Sequence, residues 1–364
     1  MTSPDEFEVC VLGGGPAGCS CALRLARLGA RVVVVERTNH EGPRVGEDLP
    51  ARATVFLRSL GVFEAFQADG HKPATGVLAH WDDGGTTERD PFFSPQGHGL
   101  HLDRARFDAT LARAAETQGV TLHRGARPCS VARDERGRWL VRTRDQAGEK
   151  TLVAPFLVDA TGRGSWLGRR CGARRIVRDR LVGLVGRFDE KRMDDPRLLV
   201  EATEMGWWYA AGLPRGGAVA VFLTDADLLP HSAGPMSGFW HEQLRKSPMT
   251  AAWVGDATAQ MRLVSAATGL LTPCQGPGWV AVGDAAASHD PLSSRGIEMA
   301  LATGTAAAVA IGMGGQGAFT EYEGRLRVDF QRYLDQRREH YGRVRRWSGS
   351  PFWKRRQDAA WVIA

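Results

Sequence analysis

The stretch that decides the fold is FEVCVLGGGPAG, residues 7–18. An apolar run from Phe7 to Leu12 stops at glycines, and apolar residues then recur at helical spacing from Ala22 to Leu28. Arg31 to Glu36 follows, and its four successive valines are typical of a buried parallel strand. Strand, helix and strand within about 30 residues predict a βαβ unit.

The glycines of this stretch satisfy the pattern GxGxxG through Gly13, Gly15 and Gly18. In such a pattern the first glycine permits a tight turn, the second lets the backbone approach a pyrophosphate, and the third allows close packing of helix and strand. The helix N-terminus then offers N–H groups and a positive dipole end to the phosphates. Glu36 ends the second strand, where a carboxylate accepts hydrogen bonds from a ribose diol. The spacing therefore predicts dinucleotide binding.

Length and composition narrow the class of protein. The 364 residues suggest about two domains, and 43% hydrophobic with 24% charged residues is ordinary for a globular chain. A net charge of +6 mildly favours anionic ligands without indicating nucleic-acid binding. The six cysteines form no CxxC pair, so we expect reduced core thiols and no metal site. No signal peptide is visible, and the run from Ile297 to Met313 reads as too polar and too short for a bilayer. These features predict a cytoplasmic protein without a membrane partner.

Further along the chain the pattern alternates between α/β and all-β character. Helical spacing from Asp103 to Gln118 and a strand-like run from Thr151 to Val158 continue the α/β pattern. β-like runs separated by turns then predict an antiparallel sheet; they are Leu181–Phe188, Leu198–Ala202, Trp207–Leu213 and Ala218–Thr224. Alternation should send Trp207 and Tyr209 to one face of that sheet and Trp208 to the other.

Two further segments of the sequence indicate that the bound dinucleotide is FAD and not NAD. Asp159-Ala160-Thr161-Gly162-Arg163 and Gly283-Asp284-Ala285-Ala286 each follow a strand. An aspartate at a strand end beside small residues can reach a ribityl hydroxyl while the backbone lies against the cofactor. The order GGGPAG, DATGR and GDAA…DPLSSRG resembles the FAD-dependent monooxygenase superfamily, in its aromatic hydroxylase and flavin-dependent halogenase branch. The resemblance covers nearly the whole chain.

That resemblance implies an α/β fold. A Rossmann-type FAD-binding domain is interleaved with a smaller, mainly antiparallel β-sheet substrate domain, and C-terminal helices follow. We assign residues 1–73, 98–180 and 270–318 to the FAD-binding domain, 74–97 and 181–269 to the substrate domain, and 319–364 to the helical segment.

The resemblance also implies a set of FAD contacts. Asp284 corresponds to the aspartate at the ribityl and phosphate region, Arg104 to an FAD-contacting arginine, and residues 290–296 to the loop at the pyrimidine side of the flavin. The whole set of predicted cofactor-binding residues is Gly13, Gly15, Pro16, Ala17, Gly18, Glu36, Arg37, Arg44, Gly46, Arg104, Asp159, Gly162, Gly283, Asp284, Pro291, Ser294, Gly296 and Ile297. Glu47 and Asp48, in the segment that passes near the isoalloxazine, are the candidate catalytic acids or bases.

Halogenases of this branch need a lysine and a glutamate to handle hypohalous acid. Ala74 stands at the place of the lysine, with Lys72 two positions away, and Ser293 stands at the place of the glutamate. Both chemical roles are therefore unfilled, and we read the chain as a hydroxylase.

A narrower resemblance points to the flavoproteins that mature cysteine tryptophylquinone enzymes. It lies in Gly46-Glu47-Asp48-Leu49-Pro50, in the run from Trp207 to Pro214 and in the ending from Arg346 to Trp353. It implies hydroxylation of a tryptophan in a precursor protein through a flavin C4a-hydroperoxide, with NAD(P)H as a transient reductant. Three alternatives stay open: a free indole or phenol as substrate, a flavin-dependent reductase or dehydrogenase, and a non-catalytic FAD protein.

The C-terminal segment is rich in arginine, including Arg337 and Arg346. Such a run is either a solvated helix face or a dock for an acidic protein substrate. The sequence leaves the oligomeric state open.

Overall fold

The computed structural model describes residues 5–89, 97–189, 193–230, 236–255 and 260–358. The strands in that part of the chain, numbered in order, are β1 (Asp5–Glu6), β2 (Val9–Leu12), β3 (Val32–Val35), β4 (Asp48–Leu49), β5 (Lys72–Ala74), β6 (Val77–His80), β7 (Thr86–Arg89), β8 (Gly99–His101), β9 (Thr121–His123), β10 (Arg127–Arg133), β11 (Trp139–Asp145), β12 (Gly148–Ala154), β13 (Phe156–Asp159), β14 (Arg174–Val177), β15 (Leu181–Phe188), β16 (Leu198–Thr203), β17 (Gly206–Gly212), β18 (Ala218–Asp225), β19 (Gln260–Ser265), β20 (Gly269–Thr272), β21 (Gln275–Gly276), β22 (Trp279–Ala281) and β23 (Ala287–Ser288).

The helices are α1 (Pro16–Arg27), α2 (Thr54–Ser59), α3 (Phe63–Ala68), α4 (Arg104–Thr117), α5 (Trp166–Arg170), α6 (Met236–Arg245), α7 (Pro248–Val254), α8 (Gly296–Met313), α9 (Gly315–Gly342) and α10 (Pro351–Gln357). Short 3₁₀ turns lie at Ala51–Ala53, Gly162–Gly164, Ala226–Leu228, Gly283–Ala285 and Pro291–Ser293.

The first sheet is the one that the opening stretch predicts. Its order is β21-β22-β13-β2-β3-β9, and every pair except β21–β22 is parallel. All four residues of β2 and all four valines of β3 are buried, because helices flank such a sheet and leave its faces no polar side. The carboxyl ends of β2, β3, β13 and β22 lie at one edge, where ligands of open α/β sheets bind.

A segment that the sequence pattern predicts to be one strand forms two strands in the structure. The run read as continuous from Thr151 to Val158 belongs to β12, in the sheet β1-β12-β11-β10, and to β13, in the parallel sheet. Pro155 separates them. Proline has no backbone N–H to donate, so the chain changes sheets at this residue.

The second large sheet has the order β19-β15-β18-β17-β16-β6-β7 and is antiparallel except for β6–β16. The predicted alternation along β17 is confirmed. Trp208 packs against Trp240 of α6, with ring centroids 5.1 Å apart. Trp207 lies on the other face, in a cluster with Tyr341 and Trp353 of the C-terminal helices. The fold is thus the expected α/β arrangement with an antiparallel substrate sheet, while the exact domain boundaries stay a prediction.

Helix α8 differs from its sequence-based description. Its 18 residues are long and apolar enough to cross a membrane by length and composition alone, so reading the run as too polar and too short was wrong. In the structure, α8 packs closely on α1. A Cβ on Gly304 would lie 2.2 Å from Ser20 Oγ and 2.3 Å from the carbonyl oxygen of Ala17. The small residues of α8 therefore serve helix–helix contact.

Gly314, with a φ of +66°, forms the turn between α8 and α9. All six cysteines are free, and Cys10, Cys19, Cys21 and Cys274 are buried.

Candidate functional site

The glycine turn after β2 forms an open cradle. Gly13 has a φ of +107°, and a Cβ there would lie 2.2 Å from the carbonyl oxygen of Ala160. A Cβ on Gly18 would lie 1.9 Å from the carbonyl oxygen of Gly13, so both positions require glycine. Gly15 is different, because no heavy atom lies within 4 Å of its Cβ position. Pro16 and Ala17 open α1 directly behind it. Apart from Pro16, which has no N–H, the first residues of such a helix have N–H groups without partners inside the helix.

Glu36 lies beside the cradle, at the carboxyl end of β3. Its Oε2 accepts the N–H of Gly14 at 2.7 Å, and its Oε1 accepts the hydroxyl of Thr38 at 2.6 Å. Burial acts to raise the pKa of this carboxyl, but the hydrogen bonds from Thr38 and Gly14 and the charge of Arg44 hold it below its ordinary value. Glu36 is therefore an ionised acceptor at the predicted ribose position, and Arg37 next to it is exposed.

Arg44 and Arg104 meet at a buried acid that the sequence did not single out, Asp108. Arg44 Nη1 lies 2.7 Å from Asp108 Oδ2, and Arg104 Nη2 lies 3.2 Å from its Oδ1. Arg104 also donates to the carbonyl oxygens of Val45 and Gly46. Both arginines thus fix the segment that leads into Glu47. Their direct contact with a cofactor stays a prediction. The missed signal was the i,i+4 spacing of Arg104 and Asp108 on α4.

Glu47 joins the cofactor segment to the substrate sheet. It is 4% exposed, and its Oε2 accepts the N–H of Gly46 at 3.0 Å and the hydroxyl of Tyr209 at 3.3 Å. Burial raises the pKa of Glu47 above its ordinary value. Burial, together with the Glu47 carboxylate, also raises the pKa of the Tyr209 hydroxyl. This pair can hold a proton between the two domains.

Asp48 faces the loop that precedes α8. The hydroxyl of Ser294 lies near its carboxylate and acts to lower its pKa, and His101 Nδ1 lies 3.9 Å from its Oδ1. Burial raises the pKa of Asp48 and lowers that of His101, and the attraction between the two opposes both shifts. Of the histidines near the predicted site, His101 is thus the one that meets a candidate acid. His71 packs between Phe66 and Phe107 in the core.

Asp159 requires a correction. It was expected to reach a cofactor hydroxyl, but its side chain is fully buried and its oxygens already accept four hydrogen bonds. Two come from the N–H and hydroxyl of Thr161, and two from the N–H groups of Leu167 and Gly168. Asp159 therefore shapes the turn after β13. The backbone at Gly162, with a φ of +73° and open space at its Cβ position, is the part of this turn left free for a ligand.

Asp284 stays available at the carboxyl end of β22. Its side chain is 34% exposed, and its Oδ2 lies 3.3 Å from Nε of Arg163, in the DATGR segment. Arg175 supports the same turn by donating to the carbonyl oxygen of Asp284 at 3.0 Å. Burial lowers the pKa of that guanidinium to about 10. Gly283, with a φ of +57°, lies against Ala17 of α1 and brings the two turns together.

The loop from Pro291 to Gly296, which we name the flavin loop, is built as a helix entrance. Ser294 is left-handed at a φ of +49°, and α8 begins at Gly296, whose Cβ position has no heavy atom within 4 Å. Ile297 is 7% exposed and belongs to the core below. The loop therefore presents free N–H groups at the N-terminus of a long helix, an arrangement that stabilises negative charge.

The substrate sheet covers this edge. Val45, Tyr209 and Leu292 all pack against the apolar cluster on the Trp207 face of that sheet. Val45 and Leu292 belong to the two segments that carry predicted FAD contacts, so both segments reach the same face of the antiparallel sheet.

The positions that halogenases would use hold no such chemistry here. Ala74 is 6% exposed in β5. Lys72 Nζ donates to the carbonyl oxygens of Met193 at 2.6 Å and Asp195 at 3.2 Å. Ser293 Oγ donates to the carbonyl oxygen of Asp290 at 2.9 Å. The neighbouring lysine is therefore committed to the backbone.

Comparisons with known proteins agree with this geometry. A family model described as FAD binding domain matches residues 6–318. LodB of Marinomonas mediterranea, named as an FAD-dependent oxidoreductase, is 31% identical over 360 residues, which are 97% of this chain and 97% of LodB. The solved structure of QhpG, a peptidyl tryptophan dihydroxylase essential for tryptophylquinone cofactor biogenesis, has a TM-score of 0.82 and 29% identity, and the match covers 99% of this chain and 80% of QhpG. The myxobacterial chondrochloren halogenase CndH has the same fold, with a TM-score of 0.89 at 24% identity over 98% of this chain and 87% of CndH.

Proposed function

The chain belongs to the FAD binding domain family of flavin-dependent oxidoreductases and halogenases, and from that premise we propose that it is a monooxygenase that hydroxylates a tryptophan side chain in a precursor protein. The observation that carries the proposal is the likeness to QhpG along 99% of the chain. QhpG is described as a peptidyl tryptophan dihydroxylase, and LodB, which is similar over 97% of its length, is described more broadly as an FAD-dependent oxidoreductase.

The halogenase branch of the family is the main rival, and the side chains oppose it. Halogenation in this branch uses a lysine that captures hypohalous acid. Ala74 has no amine, and the amine of Lys72 is bound to two carbonyl oxygens. Freeing that lysine would leave both carbonyls without their charged donor, which costs about 1.5–3 kcal/mol for each hydrogen bond. Hydroxylation needs no such lysine.

FAD fits the residues at the sheet edge. The cradle at Gly15 and the N-terminus of α1 would hold the pyrophosphate, Glu36 the ribose, Asp284 the ribityl chain, and the flavin loop the pyrimidine side of the ring. Bound FAD, reduced by NAD(P)H, would supply the oxygen activation. The chain's own residues would orient the tryptophan and exclude water from it.

The Glu47–Tyr209 pair is our candidate for the proton-handling group. Hydroxylation of an aromatic carbon displaces a ring proton, which a nearby acceptor must take. Glu47 Oε2 is such an acceptor, and its hydrogen bond from the Tyr209 hydroxyl holds it on the substrate side of the cofactor segment. Asp48, paired with His101, faces Ser294 of the flavin loop instead, which suits a positioning role.

A product assay tests the proposal. The FAD-loaded protein is incubated with NADH or NADPH, oxygen, chloride and bromide, once with free tryptophan and once with a tryptophan-containing precursor protein. We expect a mass gain of one or two oxygens on the precursor. A halogenated product would overturn the hydroxylase assignment. Oxygenation of free tryptophan alone would leave the reaction class standing and remove the protein substrate. Reductant consumption without any oxygenated product would favour a reductase.

A further inference from the structure

Asp290, the residue that precedes the flavin loop, is held by an unusual number of partners. It is 1% exposed, and its Oδ1 accepts the N–H of Leu292 at 3.0 Å. Its Oδ2 accepts the hydroxyl of Tyr341 at 2.7 Å and Nε–H of Arg337 at 3.3 Å. The backbone N–H of Asp290 donates to the hydroxyl of Tyr333 at 2.7 Å. The entrance to the loop is thus fixed on both its side chain and its backbone.

Three of these partners come from one stripe of α9. Tyr333, Arg337 and Tyr341 are spaced i, i+4 and i+8, and such residues share a helix face. Tyr333 and Tyr341 are 2% and 0% exposed. The sequence had placed Arg337 on a solvated or docking face, and that reading was wrong, because its side chain is 12% exposed and bound to two aspartates.

The same stripe contacts two of the chain crossings between the predicted domains. Asp179 lies between β14 and β15, and its Oδ2 receives Nη2–H of Arg337 at 2.8 Å. Thr268 lies between β19 and β20, and its hydroxyl is 3.2 Å from that of Tyr333. Asp179 Oδ1 also accepts the N–H of Thr268 at 3.1 Å, which joins the two crossings to each other.

The stripe reaches the substrate sheet as well. Trp207 of β17 donates its indole N–H to the Tyr341 hydroxyl at 2.9 Å, and that hydroxyl donates onward to Asp290. The Trp81 ring packs edge-on against both Trp207 and Tyr341, at 5.9 and 5.6 Å between centroids. One buried hydroxyl therefore links the substrate sheet to the flavin loop.

We propose that a network of five residues, which we name the Asp290 clamp, positions the flavin loop relative to the substrate sheet. Its members are Asp179, Asp290, Tyr333, Arg337 and Tyr341, and Tyr341 connects the loop to the sheet. The clamp has a specific geometric task. The two predicted domains are joined by the chain crossings and by side-chain contacts such as Glu47–Tyr209 and Lys72–Met193. The reacting groups on either side must be held within a fraction of an ångström for efficient chemistry. A buried, charge-assisted network supplies such rigidity because every member loses a partner if the domains shift.

Tyr341→Phe tests the proposal, with Tyr322→Phe as its matched control. Tyr322 is a third buried tyrosine of α9, and its hydroxyl donates to the carbonyl oxygen of Ala281 at 2.8 Å, outside the clamp. Each variant loses one buried hydroxyl from the same helix. The FAD-loaded full chain is studied in both cases by hydrogen exchange and by the visible circular dichroism of the bound flavin.

We expect Tyr341→Phe to raise the hydrogen-exchange rate of residues 290–297 by about tenfold, because the variant loses one hydrogen bond to a charged acceptor. The circular dichroism of the bound flavin should also change. Tyr322→Phe should lose about as much thermal stability as Tyr341→Phe but should leave the hydrogen-exchange rate of residues 290–297 unchanged. Arg337→Lys keeps the charge but cannot span both aspartates, and it should repeat the Tyr341→Phe signature if that variant folds poorly. Loop exchange that stays at the wild-type rate in Tyr341→Phe or Arg337→Lys, or that rises equally in Tyr322→Phe, would overturn the proposal. The assay contains no substrate, so its result is independent of the reaction assigned above.

Discussion

Replacing Gly15 with valine should weaken FAD binding while leaving the fold intact. Gly15 has φ −77° and ψ −173°, a conformation that any residue adopts, and its Cβ position has no heavy atom within 4 Å. A side chain there meets nothing in the protein and instead fills the space in front of the α1 N-terminus. Gly18→Ala is the matched control, because its Cβ would lie 1.9 Å from the carbonyl oxygen of Gly13 and should damage the turn itself.

The expected size follows from what the side chain displaces. A hydrogen bond between a backbone N–H and a charged phosphate oxygen is worth about 1.5–3 kcal/mol. Each 1.4 kcal/mol is about tenfold in affinity, so the loss of one such bond raises the Kd for FAD by roughly 10- to 150-fold. Gly15→Ala should lie near the lower end and Gly15→Val near the upper, because the branched side chain blocks more of the approach.

The assay titrates apoprotein with FAD and follows flavin fluorescence, with the thermal midpoint of each apoprotein measured alongside. We expect Gly15→Val to keep the wild-type midpoint and lose affinity, and Gly18→Ala to lose stability. Wild-type affinity in Gly15→Val would refute the placement of the pyrophosphate. A fall in the Gly15→Val midpoint as large as that of Gly18→Ala would refute the reasoning from open space.

Four further outcomes are expected. Asp284→Ala should raise the Kd for FAD by about tenfold or more, through the loss of a charge-assisted hydrogen bond, and unchanged affinity in the same titration would remove this residue from the site. Asp159→Asn should lower the free energy of unfolding in urea by about 1–3 kcal/mol, because an amide cannot serve all four donors; lost FAD affinity at unchanged stability would restore a direct contact. Burial raises the pKa of Glu47, so the wild-type protein loses stability as the pH rises from the ordinary value of 4.5 to the raised one. As the pH rises across this window, the thermal midpoint of Glu47→Gln should therefore rise relative to that of the wild type. A difference between the two midpoints that does not change with pH would contradict a raised pKa. Denaturation should release all the flavin into the filtrate, since no cysteine or histidine lies in a recognised attachment motif; flavin retained on the chain would show a covalent link.

Much of the fold was predictable because local patterns agreed with each other. The valines of β3 could only be a strand buried on both faces, and the turn residues between the runs at 181–224 gave the antiparallel sheet. The tryptophan alternation on β17 followed from the two-residue period of a strand. The one divided strand, at Pro155, was misread because apolar residues continue on both sides of the proline.

The site residues were predictable only where residues close together in the sequence determine the backbone geometry. The glycines at 13 and 18 are required by backbone contacts that any GxGxxG turn makes. Tyr341 was missed because its partner Asp290 is far away in sequence. Asp108 carried a local signal in its i,i+4 spacing from Arg104, but its second partner, Arg44, is far away in sequence. Asp159 was assigned to the cofactor because its position at a strand end is visible in the sequence. The four hydrogen-bond donors that occupy its carboxylate come from the following turn and helix, and the sequence does not show them.

The most direct test of the proposed function locates the new oxygen. The FAD-loaded protein, reductant and precursor protein are incubated under oxygen gas enriched in the heavy isotope, and the precursor is digested and sequenced by tandem mass spectrometry. We expect heavy oxygen on the ring of one tryptophan of the precursor. Light oxygen from water at that ring, or an unmodified precursor beside oxidised reductant, would contradict it.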